Sequence, residues 1–196
     1  ITGLAQAPVA TLPGAAGRAS DYPTAAVAPT RVTFSDSFWA PRLDTVRAVT
    51  IGATFKQSEL TGRIKNFEIA GGQVTGEFCS RYAFDDSDVF KIIEGASYAL
   101  AQKRDAALDG YLDRLIATIA RAQEPDGYLG IMPADKRVWT LWDVHEMSYL
   151  VYGLTSDYRF FGEKTSLEAA RKLADYVIAR WSAEPDRIPG AGEITL

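Results

Sequence analysis

The chain is poor in the residues that most often carry metal, redox or nucleophilic chemistry: its 196 residues include one cysteine, Cys79, and one histidine, His145. A lone cysteine excludes an internal disulfide and any Cys-x-x-Cys metal or redox site. A lone histidine excludes the His-Glu-x-x-His zinc motif, and His145-Glu-Met-Ser-Tyr149 has a tyrosine where the second ligand would stand. Long apolar runs are also missing, none approaching the roughly 18 residues of a spanning helix, so no membrane span is expected. Charge of one sign is scarce. The net charge is −4, and the 21 Lys and Arg are scattered rather than gathered along one stripe, which argues against a nucleic-acid partner.

The rest of the chain is rich in apolar residues, 47 % of the total, enough for one ordinary core. Residues 1–30 stand apart: they are rich in Ala, Pro, Gly and Thr, with Arg18 and Asp21 as their only charges, and read as a flexible linker ahead of one folded unit over 31–196. Ala5-Gln-Ala7 has the small-residue spacing of a signal-peptide end, although the basic and apolar regions that precede such an end are missing. A tether of this kind suits a secreted or periplasmic protein better than a cytoplasmic one.

Val32-Thr-Phe34 is expected to form a short strand. Asp36-Ser-Phe-Trp-Ala-Pro41 is a turn that anchors two aromatic rings ahead of a helix from near Leu43 to Gly62. The next twenty or so residues, with Gly71-Gly72 and Gly76, lack steady periodicity and read as a long loop. From Asp86 the pattern is helical throughout. Leu108, Tyr111, Leu112, Leu115, Ile116 and Ile119 form one apolar stripe. Leu167, Ala170, Ala174, Val177, Ile178 and Trp181 form another, after the capping-box pattern Thr165-Ser-Leu-Glu168. Between these amphipathic helices lie two whose apolar residues spread too far round for one stripe, around Val89–Ala101 and Met147–Phe161, as expected of helices buried on most sides.

The order is buried, amphipathic, buried, amphipathic, with Glu124-Pro-Asp126 and Glu184-Pro-Asp186 closing the pairs. A period of about 55–60 residues with an inner and an outer helix per unit reads as an all-α fold, a partial α/α toroid of the (α/α)6 kind. About two and a half helical hairpins are present. Each unit buries its face against its neighbours, so further polypeptide or a second chain is expected to complete the ring.

Polar groups recur at the entrances to the buried helices. Asp85-Asp-Ser-Asp-Val89 opens the first, and Trp142-Asp-Val-His-Glu146 opens the second, so Asp88-Val89 is answered by Asp143-Val144. His145 would sit in a first turn, where unpaired backbone amides face the barrel mouth and a neutral imidazole can exchange hydrogen bonds with a bound hydroxyl group. Asp86, Asp88 and Asp143 are candidate substrate-binding residues, although capping by Asp86 or Ser87 explains the first cluster more simply. Their spacing fails the EF-hand pattern. Gln123, Asp126 and Tyr128 lie on a turn that would fold over the mouth, though Pro125-Asp-Gly127 is turn chemistry in itself. Trp142 offers an aromatic face for stacking on a bound substrate, or for packing.

Phe84-Asp-Asp-Ser-Asp-Val-Phe-Lys91, Ala122-Gln-Glu-Pro-Asp-Gly-Tyr-Leu129, Leu141-Trp-Asp-Val-His-Glu146 and Leu173-Ala-Asp-Tyr-Val177 together resemble the beta-L-arabinofuranosidase family, glycoside hydrolase family 127 and its relatives. Asp36-Ser-Phe-Trp-Ala-Pro-Arg42 and Thr61-Gly-Arg-Ile-Lys-Asn-Phe67 fit ahead of them. The resemblance implies an N-terminal α/α barrel followed by β-sandwich domains, in a retaining hydrolase that releases terminal L-arabinofuranose from a glycan. It further implies a Zn²⁺ site of three cysteines and a glutamate, one cysteine being the nucleophile, with a separate glutamate as acid/base. Those positions fall beyond Leu196, so the resemblance assigns no catalytic residue and no metal ligand to this chain, only one wall of the sugar pocket.

One departure stands out. Ile188-Pro-Gly-Ala-Gly-Glu-Ile194 resembles a segment in which the family usually supplies a second sugar-binding histidine, and Ala191 takes its place. Two other readings fit the residues. In another α/α-toroid carbohydrate enzyme, such as a uronyl hydrolase, lyase or epimerase, Asp88, Asp143 and His145 would do the chemistry. The other reading is a non-catalytic glycan-binding or scaffold module.

Overall fold

The structure, a computed structural model, describes residues 27–79, 82 and 84–190. Among these the chain is helical without strands. The strand expected at Val32–Phe34 is not formed: a 3-10 turn at Pro29–Arg31 leads into an extended segment at Val32, and no neighbouring strand pairs with it. Of the expected linker only residues 27–30 are described, and Ala191 lies outside the described residues.

The first helix starts earlier than the apolar pattern suggests. Asp36 Oδ1 accepts the N–H groups of Phe38 and Trp39, at 2.9 and 2.6 Å, and this local cap starts α1 (Trp39–Thr45) ahead of Leu43. Pro41 falls in the first turn, where its missing N–H costs no helical bond. A single π turn, Val46–Thr50, joins α1 to α2 (Ile51–Leu60), which buries Ile51 and Phe55. Gly62, at φ 87°, then reverses the chain in a conformation few side chains tolerate.

Part of the expected loop is a helix, α3 (Arg63–Ala70). It is too short to show a period; Ile64 and Phe67 supply its buried apolar side chains, Phe67 edge-on to Phe90 with centroids 5.3 Å apart.

Two long inner helices follow, α4 (Ser87–Gln102) and α6 (Leu141–Phe161), each paired with an outer helix, α5 (Ala106–Arg121) and α7 (Lys164–Ala183). The inner pair runs parallel. Near the amino ends the Asp86 N–H donates to Glu146 Oε1 at 3.1 Å, while near the carboxyl ends the Tyr98 and Phe160 rings lie 5.0 Å apart. Midway, Gly153 lets the two backbones approach so closely that a Cβ there would meet the Phe90 carbonyl oxygen at 2.8 Å.

The outer helices fit the amphipathic reading. Asp105 caps α5 through the N–H groups of Ala107 and Leu108, and Leu112, Leu115, Ile116 and Ile119 face inward. For α7 the stripe is rotated from the expected one: Ala169, Ala170, Leu173, Tyr176 and Val177 are buried, whereas Ile178 is 62 % exposed. The capping box does not form either, because the helix starts at Lys164 and places Thr165 and Ser166 inside its first turn. Ser166 instead donates to Asp157 Oδ2 at 2.6 Å and ties the turn to the end of α6.

Candidate functional site

The entrance to α6 is built from a loop under strain. Val138 is fully buried yet adopts φ 57°, a left-handed conformation that is costly for a β-branched residue. Asp143 holds it there. Its Oδ2 accepts the Val138 N–H at 2.7 Å and its Oδ1 accepts the Tyr128 hydroxyl at 2.9 Å. The same hydroxyl accepts the Met132 N–H at 2.9 Å, and the Arg137 guanidinium covers the Tyr128 ring at 3.7 Å while forking onto Glu124. Trp181, from α7, closes the arrangement by donating to the Val138 carbonyl at 3.3 Å.

Of the residues singled out in the sequence, Tyr128, Gln123 and Asp126 are therefore engaged within this loop. Gln123 Nε2 donates to the carbonyls of Gly127 and Ala169, both at 2.9 Å, and Asp126 Oδ1 accepts the Tyr128 N–H at 3.0 Å. Burial pushes the Tyr128 hydroxyl well above the usual phenol range, reinforced by the neighbouring Asp143 carboxylate.

The entrance to α4 is not capped as expected. Neither Asp86 nor Ser87 caps the helix with its own side chain. Glu146, reaching across from α6, accepts the N–H groups of Asp86 and Ser87 in their place. Asp86 instead accepts from Asn66 Nδ2 at 2.9 Å, and Ser87 turns back to the Phe84 carbonyl. Asp86 is 1 % exposed, Asp143 2 % and Glu146 7 %, so none of the three carboxyls presents itself to solvent or to a sugar. Burial raises all three. Asp86 moves up to about 7, with Asp85 and Asp143 adding repulsion, and Glu146 to about 9, with Asp86 next in effect.

Above this buried layer lies a partly exposed rim. Trp142, His145, Tyr149 and Tyr152 recur at i, i+3, i+7 and i+10 along one face of α6. The His145 ring stands between Trp142 and Tyr149, with centroids at 5.5 and 4.9 Å, and Phe84 packs on Trp142 at 4.9 Å. Lys91 of α4 lies 4.4 Å from the centre of the Tyr149 ring and 3.6 Å from Asp88. Asp88 also pairs with Arg63 Nε at 3.2 Å, and Arg63 reaches Asp85 at 2.6 Å. Contacts thus run from His145 to Asp88 along one surface spanning both inner helices.

Sequence reasoning missed several members of this assembly, among them Arg63, Lys91, Glu146 and Tyr149. The signal for Tyr149 was its spacing from His145. Glu146 had none, since its partners are backbone amides 60 residues away. A cleft of about 310 Å³ between Asp44, Arg47, Lys103 and Leu108 lies at the other end of α4, remote from the rim.

Cys79 is bracketed by Asn66, which accepts its N–H at 2.7 Å and donates to its carbonyl at 2.9 Å. Its Sγ faces the Asp85 carboxylate at 3.7 Å. Among the described residues no group of three or more His, Cys, Asp or Glu side chains is placed to hold a metal ion. The Zn²⁺ implied by the resemblance has no fitting donor set among the described residues.

A helical rim of aromatic rings, one imidazole and paired charges thus stands at the joined amino ends of two parallel inner helices, in the layered arrangement of a partial α/α toroid. Residues 31–194 match the family described as beta-L-arabinofuranosidase, GH127 catalytic domain, and the chain belongs to it. It is 34 % identical over 139 residues to a non-reducing end beta-L-arabinofuranosidase of Bifidobacterium longum subsp. longum, covering 65 % of this chain and 21 % of that protein. Two solved structures superpose with TM-scores of 0.69. One is Ara127N-Se, a GH127 beta-L-arabinofuranosidase from Geobacillus stearothermophilus T6, at 32 % identity over 74 % of this chain and 25 % of that one. The other is the GH127 beta-arabinofuranosidase BT3674, at 35 % identity over 78 % and 26 %. The chain spans about a fifth to a quarter of the length of these relatives. No helix among the described residues is long and apolar enough to cross a membrane.

Proposed function

We propose that this chain forms one wall of the sugar pocket in a glycoside hydrolase that releases terminal L-arabinofuranose, with further polypeptide completing the barrel. One observation carries the reading: His145 is held between Trp142 and Tyr149 on the open face of α6, and contacts connect it to Asp88 at the mouth of α4. An imidazole and a carboxylate over aromatic faces suit a polyhydroxylated ring, which needs directional hydrogen bonds and apolar cover together.

The buried carboxyls accept from backbone amides, Asn66 and Tyr128, and in keeping with the family resemblance the nucleophile, the acid/base and zinc are assigned outside the described residues. Export goes with this reading, on the composition of residues 1–30, and is checked by fractionating the source cells.

The test uses the full-length polypeptide. His145→Ala is expected to weaken binding of an arabinofuranose-terminated oligosaccharide by about tenfold or more, the scale of a lost directed hydrogen bond, without changing the fold seen by circular dichroism. Unchanged affinity would remove His145 from the pocket and overturn the reading.

A further inference from the structure

Glu146 occupies an unusual position. It lies in the first turn of one inner helix, next to His145, yet its carboxyl accepts the N–H groups at the start of the other inner helix, at Asp86 and Ser87. Those amides are the unpaired donors of the α4 terminus, which a helix ordinarily satisfies with its own cap. The sequence supplies Asp86 and Ser87 for that purpose, and both are used elsewhere. The mouth of α4 thus depends on α6 for its hydrogen bonding.

We infer that Glu146 is a positioning residue, a strut that fixes the mouth of α4 against the first turn of α6 and so sets Asp88 relative to His145. This rests on the proposed sugar wall for its functional meaning, but the strut itself stands on geometry.

Two details define its chemistry. Asp86 Oδ2 is buried and accepts no hydrogen bond from any N–H or hydroxyl. The bond from the Asp86 N–H brings the Glu146 carboxyl close to that residue, and with both ionised two buried like charges would repel with little compensation. A proton carried by Glu146 removes one of the two charges, while Oε1 goes on accepting from the backbone. The groups around the pair act in the same sense or only partly oppose it. Asp85, from the segment before α4, and Asp143, from α6 itself, add negative charge. From α3, Arg63 offers a positive charge already shared with Asp85 and Asp88, and Asn66 donates to Asp86. The strut is therefore intact when protonated and repels its partner when the proton leaves.

Glu146→Gln tests this directly, because the amide keeps an acceptor for the backbone N–H and carries no charge at any pH. Full-length wild type, Glu146→Gln, Glu146→Ala and His145→Ala are compared by thermal unfolding midpoint and kcat/KM from about pH 5 to about pH 9. The midpoint of wild type and of His145→Ala is expected to fall toward alkaline pH, and that of Glu146→Gln to fall much less. Glu146→Ala is expected to lose about tenfold in kcat/KM at neutral pH, and Glu146→Gln to restore most of it and flatten the alkaline limb.

Equal losses in the Glu146→Gln and Glu146→Ala variants, or an unchanged alkaline fall in Glu146→Gln, would overturn the strut. If Glu146→Gln flattens the stability profile while His145→Ala leaves sugar affinity untouched, the strut stands and the sugar reading fails.

Discussion

Asp143 and Tyr128 show how residue type alone misleads. Both are common partners of sugar hydroxyls, and both stand near a barrel mouth, but the hydroxyl of one satisfies the carboxylate of the other inside the protein. Nothing in the local sequence shows that the loop after α5 returns beneath α6, so the pair is invisible before folding. Tyr128→Phe removes the shared hydroxyl and leaves Asp143 Oδ1 and the Met132 N–H without that partner in a fully buried site. A stability loss of about 1–3 kcal/mol is expected, read as a lower urea midpoint. His145 and Trp142, by contrast, can be placed on an open helix face from spacing alone.

At the level of elements, legibility follows length and apolar content. Helices α4 to α7 run for 16 to 21 residues, long enough for a 3.6-residue period to emerge from the sequence. The eight residues of α3 are held by tertiary packing of Phe67 and by Asn66, neither of which has a sequence signature. The capping-box pattern of α7 misleads because the helix already starts at Lys164 and takes Thr165 into its first turn, beside a Ser166 that bonds Asp157. The contact between inner helices depends on one glycine, and Gly153→Ala would drive a methyl into the Phe90 carbonyl oxygen. Forcing these helices apart is expected to cost about 1–3 kcal/mol, seen as a lower thermal midpoint; no change would mean that the pair slides freely.

Across the whole molecule, buried carboxyls dominate the response to pH. Asp86, Glu146 and Asp157 stand at about 7, 9 and 6, each raised first by burial, against about 4 in an unfolded chain. The folded state binds these protons more tightly, so their stabilising contribution is complete below about pH 4 and is lost as pH rises through 6, 7 and 9. Stability is thus expected to fall from weakly acid to alkaline pH, measured by denaturant midpoints across that range. Under the proposed function, a polypeptide ending at Leu196 is expected to release no arabinose from a nitrophenyl arabinofuranoside, whereas the full-length protein does.

The indole of Trp181 links the outer layer to the mouth, since it donates to Val138, whose own N–H is held by Asp143. That bond makes the protein its own optical gauge. With Trp39, Trp139 and Trp142 replaced by phenylalanine, the remaining emission should shift to longer wavelength when the strained loop lifts from its seat. Loosening of the pocket entrance would then be visible without any added label.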